Sequence, residues 1–114
     1  YMNIDYGDMG VLFGNLLDNA IEANQGVDRK KRWINVSVKY EEHILIINIK
    51  NSKIRGSRRK KKGYLNHGIG LNSVKQIVEK FNGIVEVQDF GEMYEVSAIL
   101  YGICDDKDLG KSVL

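Results

Sequence analysis

The chain of 114 residues predicts an α+β domain, a two-layer α/β sandwich with helices over one face of a mostly antiparallel mixed sheet. Three observations lead there. Two segments carry apolar residues at helical spacing, and four carry them at strand spacing. They follow one another as helix, two strands, loop, helix, two strands, so the helices have to share a face of one sheet. The length suits a single domain, which we place at residues 1–104, with residues 105–114 as a tail.

The first helix is expected over residues 8–25, with Met9, Leu12, Phe13, Leu16, Leu17 and Ala20 as its buried stripe. Asp8 is its expected N-cap, and Gly26 its stop. Residues 33–40 alternate, with Ile34, Val36, Val38 and Tyr40 on one side, which predicts a half-buried strand. After the turn Glu41-Glu42-His43 comes Ile44–Ile49, apolar on both faces and therefore central. Residues 52–67 have no period and read as a loop. A second helix opens at Gly68-Ile69-Gly70, buries Leu71, Val74, Ile77, Val78 and Phe81, and stops at Asn82-Gly83. Ile84–Phe90 and Met93–Tyr101 close the domain as a hairpin around Gly91-Glu92.

Composition narrows the function classes. No window holds an apolar run of about 18 residues, so no span across a membrane is expected. The start, Tyr1-Met2-Asn3-Ile4-Asp5, has neither the basic flank nor the apolar stretch of a signal peptide. Cys104 is the single cysteine, which excludes an internal disulfide and suits a cytoplasmic setting. The net charge of +2 hides a split: Lys53, Arg55, Arg58, Arg59, Lys60, Lys61 and Lys62 crowd into ten positions. Without those seven, ten basic residues face fifteen acidic ones, a net of −5. The pattern predicts an anionic ligand at the basic loop, with a merely solvated loop as the alternative. Nucleic acid is not expected, because Tyr64 is the one aromatic near the basic run that could stack on bases.

Three segments carry chemistry. Asn15, Asp18, Asn19 and Glu22 form a second stripe on the first helix, at i, i+3, i+4 and i+7. Asparagine is a mediocre helix former, yet its carboxamide oxygen is a neutral hard ligand suited to Mg²⁺. A polar helix edge at the surface is the plainer explanation. At His67-Gly68-Ile69-Gly70-Leu71, two glycines would let backbone N–H groups approach a phosphate at a helix N-terminus, although a hinge would use the same residues. It is neither a Rossmann fingerprint, since Ser73 stands at the third glycine position, nor a P-loop. Asn51, at the end of the central strand, could accept from an exocyclic amino group and donate to a ring nitrogen, as an adenine edge requires, although Asn-Ser is usually a turn.

In this order the segments resemble the GHKL ATPase superfamily, which includes gyrase, the Hsp90 chaperones, histidine kinases and MutL. Gly14-Asn15-Leu16-Leu17-Asp18-Asn19-Ala20-Ile21-Glu22-Ala23 is similar to its N box. His67-Gly68-Ile69-Gly70-Leu71 is similar to its G2 box, and Ile47–Ser52 sits where its G1 box belongs. The resemblance covers about residues 4–101 and implies the Bergerat fold. It also implies ATP and Mg²⁺ as ligands. Asn19 would hold the metal and Asn15 and Glu22 would line the same site. Gly68, Ile69 and Gly70 would cradle the phosphates between His67 and Leu71. Residues 53–66, with Lys62, would be a lid, and Asn51 would replace the adenine-reading aspartate. The G1 box here runs Asn51-Ser52-Lys53-Ile54-Arg55 instead of D-x-G-x-G, and with the short lid it resembles peptide quorum-sensing kinases of Gram-positive bacteria.

Hydrolysing members have a glutamate where this chain has Asn15, and an amide cannot take a proton from water. The resemblance therefore implies a two-component sensor histidine kinase whose catalytic domain presents Mg-ATP. The phosphoaccepting histidine lies outside the chain, on a separate dimerisation domain, so no residue here is expected to react. A homodimeric, membrane-anchored receptor with this domain in the cytoplasm and a response regulator as partner follows. A degenerate ATP-binding or docking module and an anti-sigma-factor type serine kinase remain as alternatives.

Overall fold

A computed structural model describes residues 3–55 and 71–104. The first helix, α1, spans Tyr6–Ala23. It starts two residues before the expected position because Asp5, not Asp8, is the N-cap: the Asp5 carboxylate accepts the Asp8 backbone N–H at 2.7 Å. Asp8 is left to pair with Lys80 at 2.9 Å. That bond, and then the charge of Asp8, raise the Lys80 pKa. α1 also ends early, because Asn24 caps it before Gly26 is reached. The Asn24 side chain donates to the carbonyls of Ala20 and Trp33, each at 3.3 Å, and accepts from the Ser52 hydroxyl.

A single turn of 3₁₀ helix, Arg29–Lys31, leads into β1, Ile34–Glu41. β2 is Ile44–Ser52, β3 is Ile84–Asp89 and β4 is Met93–Tyr101. The sheet order is β1-β2-β4-β3, and every described pairing is antiparallel, so no mixed pairing occurs among the described residues. β2 is central, as its apolar composition requires. Its neighbour on the other side is β4 rather than β3, because the connection through the second helix carries the chain to the far edge before it returns. That helix, α2, is described over residues 71–79. Its end is set by Asn82, at a positive φ of 55°. Gly83 is needed for a different reason: a Cβ there would lie 1.9 Å from the Ile99 carbonyl oxygen, so α2 could not close onto β4.

The core lies between the helices and one face of the sheet. Leu12, Leu16 and Ala20 of α1 and Val74, Ile77 and Val78 of α2 pack with Leu45, Ile47 and Ile49 of β2 and Val96, Ala98 and Leu100 of β4. β1 departs from its expected half burial. Ile34, Val36, Val38 and Tyr40 do pair beside Asn51, Ile49, Ile47 and Leu45, yet all are exposed, Val38 at 51%. The reason is position: β1 is the sheet edge, and the helix layer stops over β2 and β4.

Candidate functional site

Alternation in β2 turns Leu45, Ile47, Ile49 and Asn51 toward the helices. Asn51 therefore ends the core row, with a polar head where its three predecessors have apolar ones. Asn51-Ser52 is not the turn its composition suggests: both residues belong to β2 and both are buried. Ser52 is part of a polar knot that fixes this end of the strand. Its hydroxyl accepts the Trp33 backbone N–H at 3.0 Å and donates to the Asn24 side chain, while its backbone N–H donates to the Trp33 carbonyl at 3.1 Å. Asn51 gives its own Nδ2 to the Ser52 carbonyl at 2.9 Å. That engages an amide hydrogen the sequence had assigned to a ring nitrogen, and it points Oδ1 the other way. Asn51 Oδ1 is buried and has no hydrogen-bond partner.

Asn19 faces the same interior from α1. It is 4% exposed, and its Oδ1 is also buried without a partner. Natural interiors leave few such atoms, and each costs about 1–3 kcal/mol when nothing replaces the lost water. The two lie on α1 and β2, elements that pack together. Asn48 makes the contrast: it sits three residues before Asn51 but on the opposite sheet face, where its Nδ2 donates to Glu95 at 2.6 Å and Ser97 at 2.8 Å.

Tyr94 lies beside this end of β2: the register sets it directly opposite Asn51 on β4, and it packs half-buried against the core. Burial first, and then the nearby Asp89, raise the Tyr94 pKa. The hydroxyl therefore stays protonated at neutral pH. Residue types alone did not single out Tyr94, although the alternation of Tyr94, Val96, Ala98 and Leu100 places a phenol on the core face, where it needs a polar partner.

The other candidates divide into two groups. Asn15 and Glu22 are half-buried on the flank of α1 that carries Asn19, and Leu71 is half-buried against the core at the start of the described part of α2. Lys62, His67, Gly68, Ile69 and Gly70 lie outside the described residues, as does the segment 56–66 of the expected lid. At its start, two cations are already engaged with the β3–β4 hairpin: Lys53 pairs with Asp89 at 3.1 Å and Arg55 with Glu92 at 3.6 Å. Among the described residues no cluster of three or more His, Cys, Asp or Glu could hold a metal ion.

Comparison with known proteins then decides the family. The model of the GHKL domain matches residues 4–100. The chain belongs to the GHKL family. This GHKL domain is 32% identical over 95 residues to a probable C4-dicarboxylate sensor kinase of Bacillus subtilis (strain 168). That match covers 75% of the domain but spans only 18% of the relative's length. Its fold is that of histidine kinase catalytic domains. It superposes on the catalytic domain of histidine kinase ThkA with a TM-score of 0.65 at 16% identity, covering 87% of this chain and 69% of that one. The Acinetobacter baumannii histidine kinase AdeS gives 0.60 at 15% identity, over 86% of this chain and 47% of that one. The histidine kinase domain of the Erythrobacter litoralis EL346 blue-light activated kinase gives 0.64 at 19% identity, over 84% and 44%. Among the described residues no helix is long and apolar enough to cross a membrane.

Proposed function

We propose that this GHKL domain binds Mg-ATP and presents its terminal phosphoryl group to a histidine on a separate helical domain. The observation that carries this reading is the pair of buried, partnerless carboxamide oxygens on Asn19 and Asn51. A neutral oxygen is a suitable ligand for Mg²⁺ beside phosphate and water. A neutral oxygen is also what an exocyclic amino group needs as acceptor, and a carboxylate is not required for that bond. Asn19 Oδ1 would hold the metal, and Asn51 Oδ1 would accept from the adenine amino group. Asn15 and Glu22 would border the metal, and the resemblance puts Lys62, His67, Gly68, Ile69, Gly70 and Leu71 at the phosphates. Mg²⁺, when bound, supplies charge neutralisation at the phosphoryl oxygens.

The residues of the domain position and do not react. Asn15 stands where a hydrolase needs a base, and its amide cannot remove a proton from water. The basic residues of the lid sequence would neutralise phosphate charge rather than activate water. Transfer therefore waits for an imidazole delivered from outside, and catalysis is orientation together with electrostatics. The relative's assignment as a sensor kinase supports the histidine-kinase branch. A dimeric, membrane-anchored receptor with the domain in the cytoplasm, signalling to a response regulator, fits that branch. The narrower affiliation with peptide sensors rests on Asn51-Ser52 and the lid sequence alone.

The test incubates the domain with γ-labelled ATP and Mg²⁺, with and without the cognate acceptor hairpin. The expected outcome is label on the hairpin, none on His43 or His67, and little free phosphate. Rapid phosphate release by the domain alone would move it to the hydrolysing branch.

A further inference from the structure

β2 ends on an irregular ladder step. Trp33 and Ser52 lie one residue beyond the pair of Ile34 and Asn51, at a position where antiparallel strands exchange two backbone hydrogen bonds. Half of that exchange is made: the Ser52 N–H donates to the Trp33 carbonyl at 3.1 Å. The other half is diverted, because the Trp33 N–H goes to the Ser52 hydroxyl at 3.0 Å in place of the Ser52 carbonyl. The hydroxyl in turn donates to the Asn24 carboxamide oxygen, and the Asn24 nitrogen is held by the carbonyls of Ala20 and Trp33. The Ser52 carbonyl is thereby left to Asn51, whose Nδ2 donates to it at 2.9 Å. The direction of that carbonyl is fixed, since the Lys53 N–H of the same planar peptide donates to the Glu92 carbonyl at 3.1 Å. Asn24, Asn51 and Ser52 are all buried. A half-turn of the Asn51 amide would set oxygen against the Ser52 carbonyl, so the amide has one favoured orientation, with Oδ1 bare.

We propose that Ser52 is a positioning residue that sets base selectivity in the nucleotide site. By taking the Trp33 N–H on its hydroxyl it frees its carbonyl to hold Asn51 Nδ2, and so presents Asn51 Oδ1 as an acceptor that suits a 6-aminopurine and opposes a 6-oxopurine. The proposal rests on the Mg-ATP reading above and deepens its adenine half. Asn51 meets the base, Ser52 acts through Asn51, and Asn24 orients the Ser52 hydroxyl. An oxo group at Oδ1 would oppose two acceptors away from water, and a site built for a hydrogen bond rejects a partner that cannot make it.

The experiment measures Mg-ATP and Mg-ITP affinities by titration calorimetry for the unmodified domain, Ser52→Ala and Ser52→Thr. Inosine triphosphate carries an oxo group where ATP carries the amino group. The unmodified domain should favour ATP about 10-fold or more. In Ser52→Ala the Trp33 N–H is free to turn to the carbonyl of residue 52, which releases the Asn51 amide, and the preference should fall to about 3-fold or less. Ser52→Thr keeps a hydroxyl and should keep the preference. An unchanged preference in folded Ser52→Ala overturns the proposal and leaves the Mg-ATP reading standing, as does equal affinity for the two nucleotides in the unmodified domain. No binding of either nucleotide by the unmodified domain overturns both. Should Ser52→Ala fail to fold, Ser52→Cys takes its place, because a thiol accepts only weakly, and the same loss or retention of preference decides.

Discussion

The structure gives Asn51 a local reason to be an amide. Its Nδ2 lies 2.9 Å from the Ser52 carbonyl oxygen, in a site that is 1% exposed. A carboxylate would set a second acceptor against that carbonyl, with burial adding to the penalty. Asn51→Asp should therefore destabilise the nucleotide-free domain by about 1–3 kcal/mol at pH 7. The introduced carboxyl would have a folded pKa raised above its unfolded one. Its deficit should be absent below the unfolded value of about 4 and should grow as pH rises through the folded value. Urea unfolding at pH 4 and pH 7 checks this, and equal deficits at both would mean that the Ser52 carbonyl does not select the amide. At this scale the sequence was partly legible. Asn15, Asn19 and Glu22 stand out because helices seldom space such residues on one face, whereas Tyr94 reads as an ordinary strand aromatic until the register places it beside Asn51.

Among the elements, the β1–β2 hairpin carries an avoidable strain. The chain turns in two residues, and both take a left-handed φ, 50° at Glu42 and 67° at His43. Such turns favour Asn-Gly, and neither Glu nor His adopts that conformation readily. His43 earns some compensation: its Nδ1 and backbone carbonyl reach the backbone of Ile103, at 3.1 and 3.0 Å. Glu42 is exposed and is the better residue to change. Glu42→Asn should stabilise the domain by about 0.5–1 kcal/mol, measured as a higher urea midpoint at unchanged slope. A lower midpoint would show that the Glu42 side chain contributes more than its backbone costs. The same hairpin explains two elements misjudged from pattern. Alternation gave β1 a core face but could not say that the helices stop at β2, and Gly26 looked like a helix stop because the capping role of Asn24 depends on Trp33 and Ser52, which are distant in sequence.

The whole molecule combines a well-satisfied core with two bare acceptors, on Asn19 and Asn51. Two helices, two hairpins and a central β2 were readable because each follows from local periodicity. The β2–β4 pairing was not, since it depends on a crossover through α2 that periodicity does not encode. A site carrying bare acceptors should gain stability from its ligand and lose little when an acceptor is removed. The measurement that tests this most directly is thermal unfolding with and without Mg-ATP, for the unmodified domain, Asn19→Ala and Leu16→Ala. At about 100 times the dissociation constant, ligand binding adds about 2.7 kcal/mol, a rise in Tm of roughly 8–20 °C for a domain of this size. Asn19→Ala should stay within about 1 kcal/mol of the unmodified domain without ligand and lose the Mg²⁺-dependent part of the rise. Leu16→Ala, which opens the core, should cost about 2–5 kcal/mol. No rise with millimolar Mg-ATP, or Asn19→Ala unfolding as readily as Leu16→Ala, would contradict the account.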